Sequence, residues 1–253
     1  MIKVLIWGIG GRLGKTVLEC AKLDNEIQIV GGVDKFANPK EFQVPVFVDA
    51  ESINTKVDLI IDFSRAEALE GILEYAQKNN TKLVLCTTGY TAEQSQAIEV
   101  ASKKLAIFRS SNMSLGVNLL IELCKKASSV LGENFDIEIV EQHHNLKVDA
   151  PSGTAITIAD AINAEFDNQK EFVYGRHDKN CRRKPREIGI HSIRGGTIVG
   201  KHDAMFIGND EIITISHEAQ SKAVFANGAI KAAKFLATTK KGLFNMQDLI
   251  ETL

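Results

Sequence analysis

A short apolar run that ends in glycines and passes straight into a helix-like segment narrows the fold of this chain more than any other feature. Residues 3–16 read KVLIWGIGGRLGKT: a strand, a turn carrying Gly8, Gly10, Gly11 and Gly14, and the start of a helix. The rhythm then repeats. IQIVGGVD, VDLIIDFS, KLVLCTTG and LAIFRSS are continuous apolar runs, and AEALEGILEYAQKN and AEQSQAIEVASKK among them have helical spacing. Strands without polar alternation are buried on both faces. The pattern therefore predicts a parallel sheet covered by helices on either side, a Rossmann-like, doubly wound α/β domain.

The rhythm changes after about residue 114. GVNLLIELCKKASSVL reads as a long helix, FDIEIVEQHH as a strand and GTAITIADAINAEF as a helix. From REIGIHSIRGG through TIVGKHDAMFIG to EIITISHEA, strands are joined by glycine-containing turns; FANGAIKAAKFLATT and MQDLIETL close the chain as helices. This predicts a second, α+β domain with a mixed or antiparallel sheet and helices to one side. The 253 residues suffice for two modest domains that need no metal or disulfide to fold.

Composition excludes several classes. Thirty basic residues against 32 acidic ones leave a formal charge of -2, with no global attraction to nucleic acid or acidic membranes. The one concentrated basic stretch, KNCRRKPRE at 179–187, lacks interleaved aromatics and reads as a solvated loop. Cys20, Cys86, Cys124 and Cys181 form no CxxC pair, so neither a zinc site nor a disulfide framework is expected. The N-terminal residues show no signal-peptide pattern, and no apolar run approaches the roughly 18 residues of a membrane span. The expectation is a cytoplasmic protein with no metal, no membrane and no nucleic-acid partner.

Glycines between a first strand and a first helix suit a phosphate-bearing ligand. They let the backbone approach closely, and the helix N-terminus offers N–H groups at its positive end. The spacing departs from G-x-G-x-x-G, because Leu13 stands where the third glycine is expected, but Gly8, Gly11 and Gly14 complete G-x-x-G-x-x-G. Asp34, about twenty residues on at the end of the second strand, suits the hydroxyls of an adenosine ribose. Lys35 beside it could hold a 2'-phosphate, so both NADH and NADPH are expected as cofactors. Phe63, Ser64 and Arg65, with Thr87, Thr88 and Gly89, follow other strands of this sheet; each set is equally consistent with ligand contact and with ordinary capping.

The second domain contributes EQHHNLKVDAPSGTA, residues 141–155. Ser152 is a plausible N-cap, so that Gly153 and Thr154 open a helix whose first turn binds a carboxylate well. Lys147 adds a full positive charge. His143 and His144 are neighbours and in extended backbone point to opposite sides, so one of them is suited to supply a proton. Arg194, beside two glycines, reads either as a grip on a second carboxylate or as a surface charge. His177, His191, His202 and His217 have no such company and read as structural or solvated.

These motifs together resemble the dihydrodipicolinate reductase (4-hydroxy-tetrahydrodipicolinate reductase) family of the diaminopimelate and lysine pathway. The similarity spans EQHHNLKVDAPSGTA, GIGGRLG, IDFS, TTGY, SSNMSLGVNLL, IRGGTIVGKHDAMF and FANGAIKAAKFL. It implies a dinucleotide-binding domain of residues 1–114 and 225–253, a substrate-binding and tetramerisation domain of residues 115–224, and a homotetramer. It implies a cyclic dicarboxylate substrate reduced by hydride transfer from NADPH or NADH. His143 matches the acid–base histidine and Lys147 the proton-donating lysine near the substrate. His144, Ser152, Gly153, Thr154 and Arg194 fall in the substrate-binding motifs. Gly8, Ile9, Gly10, Gly11, Arg12, Leu13, Asp34, Lys35, Phe63, Arg65, Cys86, Thr87, Thr88, Ser110, Ser111, Asn112 and Met113 fall where the family contacts the cofactor. Cys86 replaces a common glycine and Met113 a frequent aromatic residue. The rival readings are a dehydrogenase of another amino-acid precursor, which leaves HHNLK unexplained, and a non-catalytic dinucleotide sensor, which leaves His143, Lys147 and Arg194 without a purpose.

Overall fold

A computed structural model describes the whole chain, Met1–Leu253, and divides it into two compact units, Met1–Leu115 with Lys222–Leu253 and Gly116–Ser221. In the first unit the chain runs through β1 (Ile2–Trp7), α1 (Arg12–Ala21), β2 (Ile27–Val33), β3 (Val46–Phe47), β4 (Leu59–Asp62), α2 (Leu69–Asn79), β5 (Lys82–Leu85), α3 (Ala92–Ser102) and β6 (Ala106–Arg109). Next come α4 (Leu115–Leu131), β7 (Asp136–His143), α5 (Gly153–Ala164), β8 (Glu171–Tyr174), β9 (Glu187–Arg194), β10 (Gly200–Ile207) and β11 (Ile212–Ala219). The chain then returns to the first unit as α6 (Ala223–Thr238), β12 (Gly242–Phe244) and α7 (Met246–Ile250).

The first sheet has the order β12-β6-β5-β4-β1-β2-β3, and every pairing in it is parallel. Every residue of β4 is buried, as expected for a central strand covered on both faces. Local chemistry fixes the helix ends. Thr91 and Gln94 form a reciprocal capping box at the start of α3, and Lys82 Nζ donates to the carbonyls of Leu236, Ala237 and Thr239 at the end of α6. Both satisfy backbone groups that a helix leaves unpaired at its ends. Strands β3 and β12 are too short to carry a periodic signal; β12 adds to the sheet edge beside β6, where the sequence pattern gave no strand.

The second sheet has the order β11-β10-β7-β9-β8. It is mixed: β7, β9 and β8 are parallel, while β10 runs antiparallel to both β7 and β11. One face packs Ile137, Ile139, Ile188, Ile190, Ala204 and Phe206 against apolar residues of α4 and α5. On β7 the alternate residue Glu138 accepts from Arg176, Arg183 and His191. The 179–187 stretch is therefore not wholly solvated. Arg183 also donates to Asp136 and to the Glu187 carbonyl, so the loop is anchored by one of its arginines. His191 is structural, as expected.

α6 lies against the first sheet on small residues, with Ala226, Gly228, Ala229, Ala232 and Ala233 all buried. A Cβ at Gly228 would stand 1.6 Å from the Met113 carbonyl oxygen. Backbone cannot yield there as a flexible side chain does, so Gly228→Ala should destabilise the protein by about 3 kcal/mol. Denaturant unfolding checks this; a midpoint equal to that of the unsubstituted protein would contradict the close approach.

Candidate active site

At the carboxyl end of β1, Gly8 adopts φ +83°, and a Cβ there would meet the Phe63 carbonyl oxygen at 2.8 Å. A Cβ on Gly14 would meet the Gly8 carbonyl at 2.2 Å. The loop thus closes only with glycine at both places. Gly11 is the N-cap of α1 and brings no side chain to cap the first turn, which leaves the helix's positive end open to an anion. Asp34 organises the turn beside it, accepting from Gly10 N at 3.0 Å, Phe36 N at 2.9 Å and Ala37 N at 3.2 Å. Arg12, Lys35, Arg65, Thr88 and Ser111 are exposed around these turns, and Leu13, Phe63, Ser110 and Asn112 are half-buried. Ser110 Oγ donates to the Asn112 carbonyl at 2.7 Å, and Asn112 Oδ1 accepts from Ser114 N.

Several of the expected cofactor residues turn their side chains inward. Ile9 is fully buried, Met113 is 3% exposed, and Cys86 and Thr87 are each 8% exposed. Ile9, Met113 and Cys86 belong to one apolar cluster. Their side chains hold the loops from beneath and leave the backbone to line them; burial also pushes the Cys86 thiol pKa upward.

The second unit builds its polar cluster where the core-facing side of β7 runs out of apolar residues. Ile137, Ile139, Glu141 and His143 alternate onto one face, and Glu141 is fully buried. Register does the rest. Glu141 lies opposite His202 of β10, and His143 lies opposite Arg194 of β9. Arg194 Nη1 and Nη2 grip the Glu141 carboxylate at 2.8 and 2.7 Å. His143 Nδ1 stands 2.6 Å from Glu141 Oε2, and Ser152 N donates to Oε1 at 3.1 Å. Burial alone would raise the Glu141 pKa, but the hydrogen bonds from Arg194, His143 and Ser152 hold it down to about 2. An ionised carboxylate only accepts, so His143 carries its proton on Nδ1 when neutral and turns Nε2 outward. Burial pushes His143 below its usual range despite the pull of Glu141.

Arg194 thus serves Glu141, and its Nη2 also donates to the Asp149 carbonyl at 2.7 Å. This differs from the expected grip on a ligand carboxylate: the guanidinium positions the site's own acid. Ser152 differs in the same way. It is 2% exposed, caps α5 by accepting from Ala155 N at 3.1 Å, and pairs with His202 Nε2 at 2.9 Å. Gly153 and Thr154 open α5, with Gly153 exposed. Lys147 Nζ meets both oxygens of Asp149, at 2.8 and 2.9 Å, and its N–H donates to the His144 carbonyl. His144 is half-buried.

Glu141 and His202 went unrecognised as site residues in the sequence. The spacing of Glu141, two before His143 on a strand, was the available signal. His202 is not solvated: it is buried, its ring lies edge-on to His143 with centroids 5.3 Å apart, and its Nδ1 has no hydrogen-bond partner.

A parallel sheet with a glycine loop at its first strand–helix turn, joined to a unit carrying an ordered histidine–carboxylate–arginine cluster, defines a nicotinamide-dependent oxidoreductase. Residues 2–113 match the family model "Dihydrodipicolinate reductase, N-terminus" and residues 116–250 match "Dihydrodipicolinate reductase, C-terminus". The 4-hydroxy-tetrahydrodipicolinate reductase of Caldanaerobacter subterraneus is 52% identical over 251 residues, 99% of each chain. That of Clostridium botulinum is 47% identical, covering 99% of this chain and 98% of its own. Among solved structures, a dipicolinate-bound dihydrodipicolinate reductase from Paenisporosarcina sp. TG-14 superposes with a TM-score of 0.82 at 25% identity, over 97% of each chain. The chain belongs to the dihydrodipicolinate reductase family. No helix is long and apolar enough to cross a membrane.

Burial, with His143 beside it, pushes the His202 pKa down to about 4. As pH falls below about 6.5 the unfolded chain takes up this proton first, so the stability contribution is complete above 6.5 and is lost progressively towards 4. The loss is on the order of 3 kcal/mol. Melting temperatures at pH 7 and pH 4.5 should therefore differ less for His202→Gln than for the unsubstituted protein; equal differences would remove His202 from the linkage.

Proposed function

We propose that the chain reduces 4-hydroxy-tetrahydrodipicolinate to tetrahydrodipicolinate by hydride transfer from NADPH or NADH, in diaminopimelate and lysine biosynthesis. The observation that carries the proposal is the Glu141-ordered cluster at the N-terminus of α5, in a chain matched to this reductase family along its length. Dipicolinate, bound by the Paenisporosarcina relative, is an aromatic ring with two carboxylates, the shape and charge that such a cluster fits.

The dinucleotide belongs to the first unit. The glycine loop of Gly8, Gly10, Gly11 and Gly14 admits a pyrophosphate at the start of α1, and Asp34 and Lys35 stand where the adenosine ribose lies. Arg12, Arg65, Thr88 and the 110–112 turn supply side-chain or main-chain contacts; Ile9, Cys86, Thr87 and Met113 contribute backbone. The cofactor supplies the hydride.

The substrate belongs to the second unit. One carboxylate takes the α5 N-terminus at Gly153 and Thr154, and the other takes Lys147 and His144. Lys147 reaches a substrate by giving up part of its pairing with Asp149. Loss of the 4-hydroxyl as water gives a conjugated dihydro ring; hydride addition to that ring leaves negative charge on it, and a proton must arrive at the neighbouring atom. His143 gives that proton from Nε2, while Glu141 keeps the ring oriented and stabilises its protonated form. A dianion bound beside His143 raises the histidine's proton affinity, so it is the complex that carries the proton to be given.

The edge strand β11 exposes Ile212 and Ile213, and an uncovered apolar edge is an aggregation hazard. This supports association of the second units through β11; for the homotetramer that the family resemblance implies, sedimentation should give about four times the mass of 27.7 kDa, and a monomer would end this part of the reading.

Reduced-nicotinamide absorbance, with substrate supplied by the preceding synthase, tests the function; no oxidation of either cofactor would overturn it. His143→Ala should lower kcat by about 10² to 10³ with little change in cofactor affinity. Activity should fall as pH rises through the His143 pKa, with the limb of kcat/KM below 6.5 and that of kcat higher. Glu141→Gln removes the carboxylate's pull and should move both limbs to lower pH. Wild-type turnover in His143→Ala would exclude this residue as the acid.

A further inference from the structure

Asp62 ends β4 with its side chain fully buried, yet none of the ion pairs in the protein includes it. Its partners are neutral. Oδ1 accepts from Ser64 N at 2.9 Å and Ser64 Oγ at 2.5 Å, and Oδ2 accepts from Tyr90 OH at 3.2 Å. Burying a carboxylate without a cation is costly, and burial pushes its pKa upward against these hydrogen bonds. Packing alone would be served by an apolar residue, so the position asks for another explanation.

The hydrogen bonds show what the carboxylate connects. Ser64 lies in the turn after β4, and Tyr90 ends the segment after β5. The Asp62 carbonyl accepts from Cys86 N at 3.0 Å, and Phe63 N donates to the Trp7 carbonyl at 3.0 Å. The Phe63 carbonyl in turn stands 2.8 Å from where a Gly8 Cβ would lie. Among the neighbouring strands β5, β4 and β1, the one side chain therefore ties the turns after β4 and β5, and the backbone of Phe63 carries the link on to β1 and Gly8. Such ends are where an open α/β sheet holds its ligand. Thr87 Oγ1 is buried beside Asp62 and Tyr90 and adds a further neutral polar group to this cluster.

We propose that Asp62 is a positioning residue for the dinucleotide: through Ser64 and Tyr90 it clamps the 63–65 and 87–90 turns against the glycine loop, and so fixes the cofactor for hydride transfer. The proposal rests on the reading that the first unit binds NAD(P)H. Asp62 touches no reacting atom, and its effect passes through the turns. Hydride transfer is sensitive to small displacements, so a loosened cradle costs rate as well as affinity.

Trp7 is the only tryptophan and directly precedes Gly8, so quenching of its emission by reduced nicotinamide reports binding. NADPH titrations of the full-length enzyme should show affinity falling about tenfold or more in Asp62→Ala, with a lower kcat and a larger deuterium isotope effect from 4-deuterated cofactor. Substrate KM should change less. Asp62→Asn should recover much of the loss, because its amide oxygen still accepts from Ser64. Tyr90→Phe, which keeps the ring and removes one tie, should fall between and decides the matter if Asp62→Ala does not fold. Unaltered NADPH affinity, kcat and isotope effect in the folded variants would overturn the proposal. Failure of the unsubstituted enzyme to bind or oxidise NADPH or NADH would instead overturn the functional reading beneath it.

Discussion

A buried carboxylate has to be met by donors or give up its charge, and Glu141 is met by an arginine, a histidine and a backbone N–H at once. Each donor comes from a different place in the chain: Arg194 from β9, His143 from the same strand and Ser152 from the cap of α5. The carboxylate thus fixes the orientation of the His143 imidazole, the approach of the helix end and the pose of the guanidinium together. This is poor economy for stability alone, because a well-packed apolar residue often does as well as a buried ion pair. It is effective for geometry, since removing Arg194 leaves the charge uncompensated, removing either other donor leaves a buried carboxylate oxygen short of a hydrogen bond, and the arrangement has few alternatives.

In the first unit the corresponding constraint is steric. The loop between β1 and α1 returns on itself so closely that only hydrogen atoms fit at Gly8 and Gly14, and α6 sits so near the 113 backbone that Gly228 has no room for a methyl group. Close packing of this kind places backbone N–H groups, rather than side chains, against whatever the loop holds. The buried residues beneath, Ile9 and Met113 among them, act as the bed on which that backbone rests.

What could be read from the sequence follows from how far apart the cooperating residues lie. Continuous apolar runs of β1, β2, β4, β5 and β6, and the glycines after β1, are local patterns and were legible. So were the cap at Ser152 and the paired histidines, because they share fifteen consecutive residues. The role of Glu141 was not legible. It depends on the pairing of β7 with β9 and β10, whose residues lie 53 and 61 positions away at Arg194 and His202, and register between such strands is not written in either one alone. Arg194 reads in the sequence either as a ligand contact or as a surface charge for the same reason: only the folded sheet reveals that it meets Glu141. Strands β3 and β12, of two and three residues, are too short to show any period.

On the proposed roles, His143 is held between opposing influences, and this explains how it could act only when needed. Glu141 favours its protonated form; burial, Arg194 and Lys147 disfavour it, and the balance lies on the neutral side. His202, itself buried, adds an edge-on ring that cannot share a second positive charge at that spacing. A dianionic substrate is the missing contribution that reverses the balance. Linkage makes the effect reciprocal: whatever factor the substrate adds to the proton affinity of His143, protonation adds to the affinity for the substrate. The proton is then taken up when there is a ring to receive it, and the resting enzyme keeps a neutral imidazole with Nε2 ready.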